Sequence, residues 1–147
     1  MPLFYADASA VVKLIVDEPE SETLRTFIEG ADLVSCELIL TEVPRAIRRA
    51  TARDERLPLD LLMSRAAQTI DSLALAPLDR SLLLAAGALA EPMLRALDAI
   101  HVAAAAGLGP IDAFVTYDER QSAAARLAGI RTMSPRPGPT PRGDQPR

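Results

Sequence analysis

Four acidic residues lie far apart along the chain, each in a local sequence that can carry it to the same end of a parallel sheet: Asp7, Glu42, Asp98 and Asp118. Asp7 and Asp118 close short apolar segments that predict buried strands, and open α/β sheets bind ligands at the carboxyl ends of such strands. Gathered carboxylates repel one another by roughly 1 to 4 kcal/mol per pair at ~4 Å, which a hard divalent cation relieves. The pattern therefore predicts a metal site.

Each of these carboxylates also has a simpler explanation. Asp7, Asp98 and Asp118 stand at or near predicted helix starts, where an Asp side chain commonly accepts backbone N–H bonds. For any one of them alone, capping is the more common role. Glu42 lies inside a predicted helix, where a pair with Arg45 is the alternative. Capping and a surface ion pair explain the residues singly, but they give no reason for the set.

The helix that contains Glu42 also carries a line of arginines. At ~100° per residue, Arg45, Arg49 and Arg53 follow nearly the same line along it. Guanidinium groups match phosphate oxygens, so the line predicts a contact with a nucleic-acid backbone or with an acidic protein partner. A solvated face is the alternative and, taken alone, the more common one. Pro44 lies inside this helix and is expected to kink it.

Composition limits the class of protein. The 147 residues are enough for one domain with a real core, and the lone Cys36 allows no internal disulfide, which fits a reducing cytoplasm. We expect neither a signal peptide nor a membrane span, since no apolar segment nears ~18 residues. A net charge of -4 argues against broad attraction to nucleic acid but allows a local basic strip.

Strands and helices alternate in the predicted order of elements. The predicted strands are Leu3–Ala6, Leu33–Val34, Leu73–Leu75, Ala113–Thr116 and Ile130–Met133. The predicted helices are Ala10–Val16, Pro19–Glu29, a long helix capped by Ser35 that runs to about Arg53, Leu59–Ser72, Arg80–Leu89, Ala96–Leu108 and Glu119–Ala128. This alternation predicts a parallel sheet with helices on both faces, an α/β fold of three layers. We expect residues 1–133 to form the domain and the Pro- and Arg-rich residues 134–147 to be a disordered tail.

Four segments, in this order, resemble the PIN domain and, more narrowly, the VapC-type ribonuclease toxins of toxin–antitoxin pairs. They are Tyr5–Leu14, Leu40–Ala46, Leu97–Ala103 and Val115–Asp118 with Ala124, Gly129 and Ile130 downstream. The resemblance spans residues 3–133, and its most specific part is the segment from Asp98 to His101. It implies a PIN-like fold, a metal-dependent endoribonuclease, a homodimer and inhibition by a small antitoxin encoded beside it. Pro44 departs from the usual helix formers at this point.

The resemblance also implies roles for individual residues. Asp7 and Asp98 are the expected principal ligands of Mg²⁺ or Mn²⁺, while Glu42 and Asp118 complete the acidic pocket. Ser9 and Thr116 are expected to hydrogen-bond these carboxylates, with a plain helix cap or strand-end hydroxyl as the alternative. His101, one turn after Asp98, is expected to be a core or orienting residue rather than a catalytic one.

Two other functions fit parts of the pattern. A phosphoryl-transfer domain can also begin with a strand that ends in Asp, with Asp7 as its nucleophile. Such domains use a lysine after a later strand, whereas Lys13, the only lysine, lies beside the first aspartate. A non-catalytic binding module of the same fold is the second alternative. Aromatic residues make up 3% of the chain, so any hold on RNA is expected to use phosphates and shape rather than stacking.

Overall fold

A five-stranded parallel sheet organises residues 1–139, the part of the chain that the computed structural model describes. Its strands are β1 (Leu3–Ala6), β2 (Asp32–Cys36), β3 (Ala74–Ala76), β4 (Ala113–Val115) and β5 (Thr132–Met133). Their order is β3-β2-β1-β4-β5, and each neighbouring pair is parallel. Along the chain, β2 and β3 are added on one side of β1, and β4 and β5 are then added on its other side. The strand order therefore reverses beside β1, where open α/β sheets bind ligands.

Seven helices within residues 1–139 cover this sheet. They are α1 (Ala8–Ile15), α2 (Ser21–Ile28), α3 (Ile39–Arg53), α4 (Leu59–Asp71), α5 (Arg80–Gly87), α6 (Ala96–Gly107) and α7 (Glu119–Leu127). In α3, Ile39, Val43 and Ile47 recur at the helical spacing and are fully buried, so this stripe fixes which face of the helix meets the sheet. The chain leaves α7 through Gly129, whose φ of 79° is the left-handed conformation that commonly ends a helix.

Two hydrophobic cores lie on opposite faces of the sheet. Phe4 and Ala6 of β1 point into one core, which α1, α3 and α4 cover. Tyr5 points into the other, which is built largely by α6 and α7. This alternation along β1 is the two-residue period of a strand with both faces buried. The three-layer α/β fold predicted from the sequence is confirmed.

The predicted elements are all present, and their ends shift by at most two residues except at the start of α3; α1, for example, begins at Ala8 rather than Ala10. The prediction for Ser35 is wrong. Ser35 lies in β2 and is fully buried, while Leu38 precedes α3 and makes no capping bond through its side chain. The helix also continues through Pro44 to Arg53.

The segment after β5 contacts the folded body. The Ser134 hydroxyl donates to the Thr116 carbonyl, and the Tyr117 hydroxyl donates to the carbonyl of the buried Pro135. The domain boundary at residue 133 stays a prediction, and of the predicted tail, residues 140–147 lie outside the described residues. No helix among residues 1–139 combines the length and the apolar character needed to cross a bilayer.

Candidate active site

The topology brings the four predicted acidic residues to one cavity of about 540 Å³. Asp7 directly follows β1, and Asp118 follows β4, which pairs with β1. Glu42 lies in the first turn of α3, and Asp98 lies in the first turn of α6. Residues separated by up to 111 positions in sequence thus line a single site at the carboxyl edge of the sheet.

Asp7 is buried and held by three hydrogen bonds. Its Oδ1 accepts from the Ser9 hydroxyl at 2.7 Å and from the Ala10 backbone N–H at 2.9 Å, and its Oδ2 accepts from the Thr116 hydroxyl at 2.6 Å. Burial raises the pKa of Asp7, although these bonds favour the charged form. Asp7 therefore caps α1 and also lines the cavity, so the capping explanation and the site explanation are compatible.

Asp118 is tied to α7 in a similar way. Its Oδ1 accepts from the backbone N–H groups of Arg120 at 2.9 Å and Gln121 at 3.0 Å. Its own backbone N–H donates to the Thr116 hydroxyl at 3.1 Å, and that hydroxyl donates to Asp7. Thr116 thus links the two carboxylates that follow the neighbouring strands.

Asp98 is the least restrained of the four. Its carboxylate is half-buried and makes no hydrogen bond within residues 1–139, although it lies in the first turn of a helix. Burial raises the pKa of Asp98, and the negative charges of Asp118, Asp7 and Glu42 raise it further. The other three carboxylates thus lie close enough to Asp98 to disfavour its charged form.

Glu42 contacts a histidine that the sequence did not assign to it. Its Oε1 lies 2.6 Å from His101 Nε2, and the other imidazole nitrogen, Nδ1, lies 2.8 Å from the Tyr5 hydroxyl and 3.7 Å from Cys36 Sγ. Burial disfavours the imidazolium, but the hydrogen bonds and negative charges of Cys36 and Glu42 outweigh it and raise the pKa of His101 to about 10. The alternative pair of Glu42 with Arg45 does not form. The spacing of His101, one turn after Asp98, indicated that it lies near the site but not that it contacts Glu42.

The donor chemistry of the cavity fits a hard divalent cation. Carboxylate oxygens are the ligands that Mg²⁺ and Mn²⁺ prefer, and the mutual repulsion at Asp98 is what a cation would relieve. Among residues 1–139, no three His, Cys, Asp or Glu side chains stand close enough together to hold an ion as they are placed. An ion here would therefore take part of its ligands from water or from a substrate phosphate, as Mg²⁺ commonly does.

The predicted arginine line divides at the cavity. Arg45 and Arg49 belong to its lining, whereas Arg53, at the end of α3, does not. In the described part of the chain, neither Arg45 nor Arg49 pairs with an acidic side chain. Both are exposed, so their guanidinium groups can meet an anion that enters the cavity.

Lys13 also lines the cavity but is already paired. Its ammonium contacts Glu18 and lies 3.0 Å from Glu20, and it sits 4.8 Å from the centre of the Tyr117 ring. Partial burial lowers the pKa of Lys13, but the hydrogen bonds to the two glutamates give a net rise. Lys13 is therefore charged and held at the rim.

The chain is similar to known proteins over most of its length. The family model of the PIN domain matches residues 4–127. Ribonuclease VapC46 of Mycobacterium tuberculosis is 37% identical over 143 residues, which cover 92% of this chain and 99% of the relative. Ribonuclease VapC47 of the same species is 34% identical over 139 residues, covering 90% and 97%. The crystal structure of PAE2754 from Pyrobaculum aerophilum has a similar fold, with a TM-score of 0.63 at 20% identity over 89% of this chain and 83% of that one.

Proposed function

Because this chain belongs to the PIN domain family, in its VapC group, we propose that it is an endoribonuclease that acts as the toxin of a toxin–antitoxin pair. The observation that carries the proposal is the convergence of Asp7, Glu42, Asp98 and Asp118 on one cavity beside two arginines that make no ion pair within the described residues. The names of the relatives, which match over nearly their whole length, supply RNA as the substrate class.

Magnesium is the proposed cofactor, with manganese as a possible substitute. Asp7 and Asp98 would be its principal protein ligands, and Glu42 and Asp118 would complete the acidic wall. Bound there, the cation would lower the pKa of its water and offset charge on the scissile phosphate. Hydrolysis of that kind leaves a 5′-phosphate and a 3′-hydroxyl.

The residues of the chain itself would position the carboxylates and supply positive charge for the RNA phosphates. Ser9 and Thr116 fix the Asp7 carboxylate, so it presents the same oxygens whether or not a ligand is bound. Asp98 has no such restraint within the described residues and can turn toward an incoming ligand. Arg45 and Arg49 offer guanidinium groups to the phosphates of an RNA that enters the cavity.

The phosphoryl-transfer alternative is poorly supported by these contacts. A phosphoryl-transfer domain that uses Asp7 as its nucleophile would need a lysine to pair with the phosphoryl oxygens. Lys13, the only lysine in the chain, is engaged by two glutamates. A binding module without catalysis remains the competing proposal, and the assay below separates it from a nuclease.

The proposed partners follow from the resemblance. We expect a small antitoxin encoded beside this protein to block the cavity, and we expect the chain to form a homodimer in the cytoplasm. The mass of the purified protein in solution, measured by light scattering, checks the homodimer independently of any activity.

The test is induced expression with and without the adjacent small gene, followed by mapping of new RNA 5′ ends. We expect growth arrest that the neighbour relieves, and new 5′-phosphate ends that are absent when the induced protein carries Asp98→Asn. Arrest with no new RNA ends would favour the binding module. Neither arrest nor new ends at matched protein levels would contradict the toxin assignment.

A further inference from the structure

A chain of buried polar side chains runs from Glu42 into the interior and is not explained by metal binding alone. His101 is the only histidine of the protein, and its side chain is 1% exposed. It lies between the Glu42 carboxylate at 2.6 Å and the hydroxyl of the fully buried Tyr5 at 2.8 Å. Both imidazole nitrogens therefore have partners, and one of these partners lines the cavity.

The three residues come from different layers of the fold. Glu42 belongs to α3, which packs in the core on one face of the sheet, whereas α6, which carries His101, packs in the core on the other. Tyr5 comes from the central strand. The hydrogen-bonded chain thus joins the two layers over the carboxyl edge of β1, beside Asp7.

We propose that His101 is a positioning residue, whose Nε2–H holds the Glu42 carboxylate in the cavity while Tyr5 fixes the imidazole ring. Nε2 carries a proton because a carboxylate can only accept. At 2.6 Å the contact has the length of a charge-assisted hydrogen bond. The importance of Glu42 for cleavage rests on the proposed function, but the hold of His101 on Glu42 does not.

The alternative positions of Glu42 show why a holding group matters. A glutamate has three rotatable side-chain bonds, and Arg45 lies one turn further along the same helix face. Without His101, the carboxylate is free to swing toward Arg45, which would remove an acidic group from the cavity and also neutralise a phosphate contact. His101 opposes both losses, because its bond directs Glu42 away from the arginine line.

Three substitutions separate positioning from mere packing. His101→Gln places an amide N–H near the position of Nε2 and can keep the bond to Glu42, whereas His101→Asn reaches only the Nδ1 position, and His101→Leu offers no donor. We expect near wild-type cleavage from the Gln variant. We expect kcat to fall about a hundredfold for the Asn and Leu variants with KM little changed, the size of loss that a misplaced group causes. Equal losses in all three variants would overturn the proposal.

A double-mutant cycle tests whether His101 acts through Glu42. In a Glu42→Ala background, His101→Leu should lower the cleavage rate per folded molecule no further, because the group that it positions is already gone. Independent, multiplying losses would overturn the proposal. Thermal melts of each variant supply the folded fraction.

A measurement that needs no RNA separates this proposal from the proposed function. Because the chain has a single histidine, imidazole ¹⁵N and ¹H resonances report on His101 without assignment. We expect a slowly exchanging Nε2-bound proton far downfield in the wild type and its loss or large upfield shift in Glu42→Ala. An unchanged imidazole spectrum would overturn the proposal. A wild type that shows this proton but cuts no RNA would refute the proposed function while leaving the hold of His101 on Glu42 supported.

Discussion

A single carboxylate in this protein can serve local structure and the cavity at once. Asp7 caps α1 through Oδ1 and accepts from Thr116 through Oδ2, while its burial disfavours the charged form. Asp118 caps α7 with one oxygen. The sequence-based choice between a cap and a site residue was therefore not a real alternative, because both roles need the same place at the start of a helix after a strand.

Asp7→Asn should abolish RNA cleavage and leave the protein folded. The amide keeps an acceptor for Ser9 and Ala10, and the Thr116 hydroxyl can turn its proton to Gln121 Oε1, 3.2 Å away. Removing the buried charge should raise the melting temperature of the metal-free protein at neutral pH, by about 2–4 °C for each kcal/mol gained. Circular dichroism melts and a cleavage assay in magnesium check both effects.

The stability that Asp7→Asn gains over the wild type should depend on pH. Because burial raises the folded-state pKa of Asp7 above its unfolded value of about 3.9, the wild type is penalised increasingly as the pH rises above that value. The advantage of Asp7→Asn should therefore be absent near pH 3.5 and grow toward pH 7. The matched control is Asp79→Asn, which alters the cap of α5 outside the cavity and should leave cleavage unchanged. Unfolding of the Asp7 variant would mean that its cap matters more than its charge.

Magnesium or manganese should stabilise the wild type without RNA. A ligand that binds only the native state at a hundred times its Kd adds about 2.7 kcal/mol, which for a chain of this size corresponds to a rise in melting temperature of about 5–10 °C. The rise should vanish in the Asp7→Asn/Asp98→Asn double variant. Cleavage that persists after exhaustive chelation would contradict the metal assignment, because the four carboxylates alone cannot activate water in this way.

At the scale of whole elements, α3 combines a buried stripe with a cavity-lining one. Ile39, Val43 and Ile47 seat the helix against the sheet, and this register turns Glu42, Arg45 and Arg49 to the cavity. Arg53 lies on the same line of the helix but beyond the end of the cavity. The register was readable from the apolar spacing, whereas the point at which the line leaves the site depends on where the sheet ends.

Substitution of Arg45 and Arg49 by Gln should weaken RNA binding across sequences and flatten its salt dependence. Two lost phosphate contacts on a single strand reduce the slope of log K against log salt by about 1.4. Arg48→Gln/Arg53→Gln removes the same charge from the same helix outside the cavity and serves as the control. Fluorescence anisotropy titrations at several salt concentrations measure both pairs. Loss of antitoxin binding alone would assign Arg45 and Arg49 to the partner, and no change in either would make them a solvated face.

Features that depend on neighbouring residues in the sequence could be predicted, whereas contacts between distant parts of the chain could not. Short apolar segments, and glycine at a helix end such as Gly129, located the strands and helices to within two residues except at the start of α3. Ser35 was misplaced because a serine after an apolar pair is compatible with both a strand end and a helix cap, and only the pairing of β2 with β3 decides. The contact of Glu42 with His101 was out of reach because it joins helices on opposite faces of the sheet, and no periodicity in either helix reports the other.

At the scale of the whole molecule, the contacts of the residues after β5 bear on where the domain ends. The predicted boundary at residue 133 follows the loss of apolar residues in the sequence. Three residues beyond it nevertheless contact the body: Ser134 donates to Thr116, Pro135 accepts from Tyr117, and Arg136 lies 3.6 Å from Glu20 and 5.6 Å from the centre of the Tyr117 ring. The partners Thr116 and Tyr117 belong to the loop that follows β4, which also carries Asp118.

A chain that ends at residue 133 should therefore be less stable than one that ends at residue 139 by about 1–3 kcal/mol, the net worth of two hydrogen bonds. Because the lost bonds hold Thr116 and Tyr117, and Thr116 binds Asp7, the shorter chain should also cleave RNA more slowly per folded molecule. Urea unfolding and cleavage assays on both truncations test this. A Ser134→Ala change in the full chain isolates one bond and should lower stability by about half as much. Equal stability of both truncations would place the end of the domain at residue 133, because the contacts of Ser134 and Pro135 would then contribute nothing that the solvent does not supply.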